Sequence, residues 1–284
     1  MKILLIGKNS YIGEHIKNYL IKFGYYVDEF DVEHEVLNED IFLGYDCVIH
    51  LAAIVHRKDI SNYSIYKRIN VDLAVLAANL AKQARVKQFV FFSTMAVYKG
   101  GKSLNGNIVN FETECVADTF YGKSKLEAEQ ALAKYESDDF KIAYIRPANV
   151  YGKNCKGAYI STFKKIVRFL PVIPLAYQNI KQGMIYIDNL CELVRLIVEN
   201  GGQGIFPAQD NPAVSSVDIM IAMSNALNLK KAKSKVFGFP FKLLKIGMVN
   251  KLYGGIAYSE EYSKTNLGEY TICDFQESIN KTLL

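Results

Sequence analysis

The sequence lacks the cysteine patterns that usually indicate a metal site or a disulfide framework. Its five cysteines form no Cys-x-x-Cys pair, and none stands beside a histidine at zinc-site spacing. We therefore expect reduced, mostly buried thiols, as in cytosolic proteins, and no bound metal.

The sequence also lacks a long apolar run, and we expect no leader. No stretch reaches the ~20 apolar residues that cross a bilayer, and Met1 leads directly into a strand-like segment rather than a signal peptide. The 34 Lys and Arg residues barely outnumber the 29 Asp and Glu residues and are scattered, which argues against nucleic-acid binding. The apolar and basic stretch Val236–Tyr253 is compatible with a membrane-surface helix, but we interpret it as a helix of a substrate lobe. We predict a cytoplasmic protein without an integral membrane segment.

The first two thirds of the chain alternate between short apolar runs and helical segments. This pattern is typical of an α/β fold with a doubly wound parallel sheet, Rossmann-type, which has helices on both faces. Right-handed crossovers then bring all strand carboxyl ends to one edge, where ligands bind. The predicted strands are Lys2–Ile6, Tyr25–Phe30, Cys47–Ala53, Phe89–Ser93 and Lys141–Ile145, and the predicted helices are Ile12–Phe23, Tyr66–Ala84 and Tyr121–Tyr135.

The pattern becomes less regular after Arg146, which predicts a smaller C-terminal substrate lobe. One further strand, Met184–Ile187, and a helix, Leu190–Glu199, return to the main sheet in this prediction. We assign residues 1–151 plus 183–206 to a dinucleotide-binding domain, and residues 152–182 plus 207–284 to the substrate-binding lobe.

A glycine-containing loop, Gly7–Gly13, joins the first strand to the first helix. Gly7 permits a tight turn, the small Ser10 lets the backbone approach a pyrophosphate, and Gly13 permits close packing of helix on strand. Phosphates bind well at such a helix N-terminus. Ser10 stands where a glycine is usual, so the segment is also compatible with an ordinary strand-to-helix turn.

Asp31 ends the second strand at about the ~20-residue distance from the glycine loop that a ribose-binding carboxylate has. Its carboxylate can accept hydrogen bonds from both ribose hydroxyls and would repel a 2′-phosphate. No Arg or Lys follows within 32–40 to neutralise that phosphate. This favours NAD over NADP, although the sequence is also compatible with an aspartate that merely ends a strand.

Tyr121 and Lys125 lie four residues apart at the start of a predicted helix, and therefore on one face. A phenol with its usual pKa near ~10 is a poor base at neutral pH. A nearby ammonium and an oxidised nicotinamide would lower the pKa of Tyr121, which could then exchange a proton with a sugar hydroxyl. Ser93 and Thr94 follow a strand, so the Thr94 hydroxyl can orient the reacting oxygen.

Together these motifs resemble the extended short-chain dehydrogenase/reductase family, in its NAD-dependent epimerase/dehydratase branch. The resemblance covers most of the first two hundred residues. It rests on segments 7–13, 46–53, 70–71, 93–98, 121–125, 146–152 and 186–188.

The resemblance implies roles for individual residues. Thr94, Tyr121 and Lys125 would be catalytic, and Asn149 and Lys156 would contact the substrate, Lys156 at a phosphate. The cofactor would lie against Gly7, Ser10, Tyr11, Ile12, Gly13, Asp31, Leu51, Ala52, Ala53, Asn70, Ser93, Tyr121, Lys125, Pro147 and Ala148. A homodimer formed through helices 66–84 and 121–135 is a further implication.

The reaction follows from a departure from the family. Sugar dehydratases carry an Asp-Glu pair after the threonine, whereas this chain has Met95 and Ala96, which cannot carry a proton. This argues against a dehydratase and leaves two reactions that transfer a hydride at a sugar carbon. Of these we favour a UDP-hexose 4-epimerase, with a nucleotide-4-keto-sugar reductase as the alternative, although nothing in the sequence fixes whether the cofactor stays bound. The substrate would be a UDP- or dTDP-hexose. A non-catalytic dinucleotide-binding regulator is a second alternative, but such relatives have usually lost the Tyr/Lys pair.

Overall fold

The structure is a computed structural model that describes residues 1–55, 62–98, 102–155, 158–238 and 247–284. A six-stranded parallel sheet forms its centre, which confirms the predicted α/β fold. In spatial order the strands are β11 (Gly204–Ala208), β6 (Lys141–Pro147), β4 (Gln88–Phe92), β3 (Cys47–His50), β1 (Lys2–Ile6) and β2 (Tyr26–Phe30).

The central strands are apolar on both faces because helices cover both sides of the sheet. Side chains alternate along β1: Ile3 and Leu5 join one core cluster, whereas Leu4 and Ile6 join the other. The chain order reverses between the neighbouring strands β1 and β3, the switch point at which doubly wound sheets bind ligands.

The helices lie close to their predicted positions. They are α1 (Tyr11–Lys22), α2 (Tyr63–Tyr66), α3 (Leu73–Gln83), α4 (Phe120–Leu132), α5 (Ala158–Phe169), α6 (Ile187–Glu199), α7 (Ser216–Ala226) and the short helices Gly247–Tyr253, Glu260–Ser263 and Phe275–Leu283, with 3₁₀ turns at Glu39–Phe42, Met95–Val97 and Ala133–Tyr135.

The predicted helix 66–84 differs from the structure in one respect. A π-helical turn, Lys67–Asp72, separates α2 from α3, and the amide of Leu73 donates to the carbonyl of Arg68, five residues earlier. Such turns often occur at functional sites. The apolar periodicity does not reveal it, because the residues on either side remain helical.

The remaining strands are short and pair outside the main sheet. They are β5 (Ile108–Val109) with β14 (Ala257–Tyr258), β7 (Asn149–Tyr151) with β10 (Met184–Tyr186), β8 (Val172–Pro174) with β13 (Ala232–Ser234), and β9 (Lys181–Gln182) with β12 (Val214–Ser215).

Two details of the predicted return to the sheet need correction. The strand at 184 pairs with β7 and not with the main sheet, and Ile187 already belongs to α6. The chain rejoins the main sheet through β11, which continues to Ala208 because it is paired with β6 along its whole length. Among the described residues no helix is long and apolar enough to span a membrane.

Candidate active site

The predicted cofactor residues that follow β1, β2 and β3 lie at the carboxyl edge of these strands. The amides of Leu51 and Ala52 both donate to the carbonyl of Ile6, at 2.8 and 3.0 Å. Gly7 has a φ of +120°, and a Cβ there would lie 2.9 Å from the amide nitrogen of Ala52. The glycine loop and the 51–53 segment are therefore in direct contact.

Ser10 and Gly13 support the loop. The Ser10 hydroxyl caps α1 by accepting a 3.1 Å hydrogen bond from the amide of Gly13. A Cβ at Gly13 would meet Ser10 Oγ at 2.5 Å and the Leu5 side chain at 3.2 Å, so a glycine permits the close approach of helix and strand. Tyr11 and Ile12, in the first turn of α1, pack partly against the core.

Asp31 lies at the same edge, directly after β2. Its carboxylate accepts 3.0 Å hydrogen bonds from the Glu33 amide and from Nδ1 of His34. The hydrogen bond from His34 is the main reason that the pKa of Asp31 is lowered. A low pKa keeps the carboxylate charged and able to accept further hydrogen bonds.

Asn70 connects the segment after β3 to helix α4. Its side-chain amide accepts from the Ile54 amide at 2.8 Å and donates to the Ile54 carbonyl at 3.0 Å and to the Ser124 hydroxyl at 2.9 Å. Asn70 lies in the π turn and is fully buried. It thus fixes the 51–54 segment against the helix that carries Tyr121 and Lys125.

Thr94 and Tyr121 meet at a cavity of about 320 Å³. Burial raises the pKa of Tyr121 to about 12, and the interaction with the Thr94 side chain partly opposes this shift. The lining residues are Thr94, Met95, Ala96, Tyr98, Lys102, Asp118, Thr119, Tyr121, Pro147, Ala148, Asn149 and Ile256.

Gly122 allows the start of α4 to lie close to the turn that follows Thr94. A Cβ at Gly122 would lie only 2.2 Å from the carbonyl oxygen of Ala96, in the 3₁₀ turn that follows Thr94. Thr119 caps α4 by accepting a 3.0 Å hydrogen bond from the Gly122 amide. The helix start is therefore held against the turn, with Tyr121 between these two residues.

Lys125 is not among the residues that line the cavity. Its ammonium donates a 2.6 Å hydrogen bond to the carbonyl of Phe92 and lies 4.4 Å from the centre of the Phe91 ring. Burial lowers the pKa of Lys125 to about 7, and the Glu129 carboxylate opposes this shift. Lys125 makes no contribution to the pKa shift of Tyr121, in which burial has the largest effect, so the expected lowering of that pKa by the ammonium is not found.

A buried ion pair stabilises the other side of the cavity. The guanidinium of Arg146 holds the carboxylate of Glu129 with bonds of 3.0 Å from Nε and 2.5 Å from Nη2. Its Nη1 donates to the hydroxyl of Tyr98 at 2.6 Å, and the Tyr98 hydroxyl is 2.9 Å from that of Tyr262. Glu129 lies on α4 and Arg146 on β6, so the pair ties the Tyr121 helix to the strand that ends at Pro147.

Pro147, Ala148 and Asn149 also line this cavity. The Asn149 side chain donates to the carbonyl of Gly183 at 3.1 Å. Lys156, predicted to contact a phosphate, lies outside the described residues.

Several lining residues were missed by sequence reasoning. Thr119 carries a signal, since a threonine three residues before Gly122 is a typical N-cap. Lys102 and Ile256 lie in loops far from the motifs, and only the fold places them at the cavity.

The residues present suit a bound dinucleotide. The Ser93 hydroxyl is buried and has no hydrogen-bond partner among the residues described, which leaves a polar atom available at the sheet edge. The cradle at Gly7 leaves no room for a Cβ, and it leads into the N-terminus of α1, where a helix favours anions.

Comparison with known proteins identifies a family and two relatives that are named as epimerases. Residues 3–206 match the NAD dependent epimerase/dehydratase family. The chain is 25% identical over 311 aligned positions to a UDP-glucose 4-epimerase of Vibrio cholerae, covering 99% of this chain and 94% of the relative. It is 28% identical over 265 positions to the N-acetyl-alpha-D-glucosaminyl-diphospho-ditrans,octacis-undecaprenol 4-epimerase of Escherichia coli O157:H7, covering 85% and 77%.

Solved structures share the fold. A UDP-glucuronic acid 4-epimerase from Bacillus cereus in complex with NAD superposes with a TM-score of 0.76 at 18% identity, over 99% of this chain and 97% of that one. A human epimerase family protein with NADPH has a TM-score of 0.75 at 15% identity, over 99% and 98%.

Proposed function

The chain belongs to the NAD dependent epimerase/dehydratase family, and from that premise we propose that it is a nucleotide-sugar oxidoreductase, a 4-epimerase of UDP-hexoses. The observation that carries the proposal is that Thr94 and Tyr121 line one cavity together with Asn149, and that the Thr94 side chain acts to lower the pKa of Tyr121. A phenol and a hydroxyl that converge in a cleft can exchange a proton with one substrate oxygen.

In the proposed reaction Tyr121 takes the proton of the sugar 4-hydroxyl and later returns it. Thr94 holds that oxygen beside the phenol. Bound NAD supplies the hydride acceptor and donor. Gly7, Ser10, Gly13, Ser93 and Lys125 are the proposed contacts to the cofactor, together with Tyr11, Ile12, Asp31, Leu51, Ala52, Ala53, Asn70, Tyr121, Pro147 and Ala148.

NAD is proposed rather than NADP because of Asp31. Its charged carboxylate follows β2 directly, at the same sheet edge as the glycine loop. There it would accept hydrogen bonds from the ribose hydroxyls. A 2′-phosphate at that place would meet a like charge.

The names of the two curated relatives both describe 4-epimerisation of a sugar joined to a diphosphate. This supports a sugar diphosphate as the substrate class. Met95 and Ala96 line the cavity and carry no acid or base, which disfavours elimination of water. The reduction of a 4-keto sugar uses the same residues and remains the second candidate, and a dinucleotide-binding regulator without catalysis the third.

The test begins with the absorbance of the purified protein, which reports bound cofactor. UDP- and dTDP-hexoses and their 4-keto derivatives are then supplied, and the product stereochemistry is determined by NMR. A 4-epimer formed without added cofactor supports the epimerase. Product formed only with stoichiometric reduced cofactor supports the ketoreductase. Bound dinucleotide without turnover of any sugar supports the regulator. The cytoplasmic location and the homodimer stay predictions.

A further inference from the structure

Lys102 is a cation in the wall of the Thr94–Tyr121 cavity that the proposed reaction does not use. Its ammonium lies 3.3 Å from Oε1 of Gln182 and 3.7 Å from the centre of the Tyr159 ring. Over the residues that the structure describes, no carboxylate lies within ion-pair distance of it. Asp118, which also lines the cavity, is exposed and forms no ion pair with it.

The side chains around Lys102 are themselves fixed. Gln182 is buried, and its Oε1 accepts from the Tyr159 hydroxyl as well as from Lys102. Its amide nitrogen donates to the Ser216 hydroxyl at 2.9 Å, which in turn donates to the carbonyl of Leu252 at 2.5 Å. This series of hydrogen bonds holds the ammonium in place without supplying a negative charge.

A half-buried ammonium without a counter-ion binds an oxyanion well, because the low local dielectric strengthens the attraction. Burial lowers the pKa of Lys102 to about 8, and an incoming anion would restore it. The cavity volume of about 320 Å³ is at the lower end of the ~300–1,000 Å³ of ligand sites. It therefore suits the sugar end of a substrate and not a complete nucleotide sugar.

We infer that Lys102 receives an oxyanion at the sugar end of the substrate, either the carboxylate of a hexuronate or the phosphate joined to the sugar. This inference rests on the proposed function, because it takes the cavity to be the sugar site. Lys102 is a binding residue in this scheme and takes no part in proton transfer.

Steady-state kinetics of the full chain with UDP-glucose and UDP-glucuronate distinguish the two sources. For a carboxylate ligand, Lys102→Met raises the KM for UDP-glucuronate roughly tenfold or more and leaves UDP-glucose within about twofold. For a phosphate ligand, both KM values rise roughly tenfold or more. In either case kcat changes little, and Lys102→Arg retains much of the affinity. The control Lys123→Met removes an exposed lysine of α4 and leaves the KM values for both substrates unchanged. Unchanged KM values for both substrates in Lys102→Met overturn the inference.

A second measurement does not depend on turnover. The amine of Lys102 is labelled with acetic anhydride at pH 8 and quantified by peptide mass spectrometry, with Lys123 as the internal reference. We expect UDP-glucuronate, or pyrophosphate for the phosphate source, to protect Lys102 at least fivefold and Lys123 not at all. Labelling of Lys102 that none of these probes reduces overturns the inference. Protection without turnover of any sugar means that the proposed function fails and the oxyanion site stands.

Discussion

The ammonium of Lys125 donates a 2.6 Å hydrogen bond to the main-chain carbonyl of Phe92, at the end of the strand that leads to Ser93 and Thr94. Lys125 is only 1% exposed. This contact places a positive charge in the interior, where the Phe92 carbonyl and the ring of Phe91 hold it. Burying this ammonium lowers the stability of the folded protein by an amount that depends on pH.

Replacing Lys125 with Met is expected to remove that pH dependence. Because burial lowers the pKa of Lys125 from 10.5 to about 7, the folded protein binds fewer protons than the unfolded chain between these values. The stability of the wild type should therefore rise with pH across this window, and the full cost should be present below pH 7. The free energy of unfolding of Lys125→Met relative to that of the wild type should therefore be higher at pH 6 than at pH 9.5, by on the order of 3 kcal/mol.

Urea unfolding of both proteins at several pH values measures this difference. Lys123→Met, on the exposed side of the same helix, serves as the matched control and should follow the wild-type curve. Parallel stability curves for Lys125→Met and the wild type would show that Lys125 is not destabilised by burial.

Removal of the Tyr121 hydroxyl should stop proton exchange. We expect Tyr121→Phe to lower kcat by roughly 10²- to 10⁴-fold, the usual contribution of a positioned acid–base group. Cofactor binding, followed by the absorbance of the bound dinucleotide, should persist. Tyr262→Phe removes a phenol that contacts Tyr98 outside the lining of the cavity and should leave kcat unchanged. Undiminished turnover by Tyr121→Phe would refute its role.

The proposed recognition of the ribose by Asp31 gives a third prediction. Asp31→Asn keeps the shape but removes the charge, so the affinity for NAD should fall roughly ten- to hundredfold. The affinity for NADP should fall less or rise, because the like charge facing the 2′-phosphate is gone. Calorimetric titration with both dinucleotides measures the ratio, and Glu33→Gln, an exposed neighbour, is the control. A ratio that stays at the wild-type value would contradict the assignment.

Much of this site was predictable from the sequence, because the strands, loops and helix starts lie along a parallel sheet that fixes their common edge. The Gly7–Gly13 loop, Asp31, Thr94 and Tyr121 all follow from that argument. The environment of Lys125 did not follow, because residue spacing shows which face a side chain shares and not which carbonyl it reaches. Lys102 was missed for a related reason: its neighbours Tyr159 and Gln182 are more than fifty residues away along the chain.

The buried pair of Arg146 and Glu129 should be sensitive to the loss of one partner. Glu129→Gln leaves the guanidinium, which is only 5% exposed, without its counter-charge. We expect a loss of roughly 3–5 kcal/mol in the free energy of unfolding. Glu260→Gln, in an exposed pair with Lys264, should give no measurable change. Chemical unfolding at pH 7 compares the two, and equal small effects would contradict the prediction.

Gly122 offers a direct test of how the cavity is assembled. A methyl group in Gly122→Ala would meet the carbonyl oxygen of Ala96 at 2.2 Å, a main-chain atom that cannot move aside without shifting the turn after Thr94. We expect a loss of roughly 1–3 kcal/mol in stability. We also expect a fall in kcat, because Tyr121 and Thr94 separate. Gly247→Ala is the matched control: a Cβ there meets nothing within 4 Å, and alanine favours the helix that begins at this residue. Thermal unfolding and turnover are measured for both variants. A Gly122→Ala protein with wild-type stability and activity would show that the helix start tolerates a displacement and that the Thr94–Tyr121 contact does not depend on this close approach.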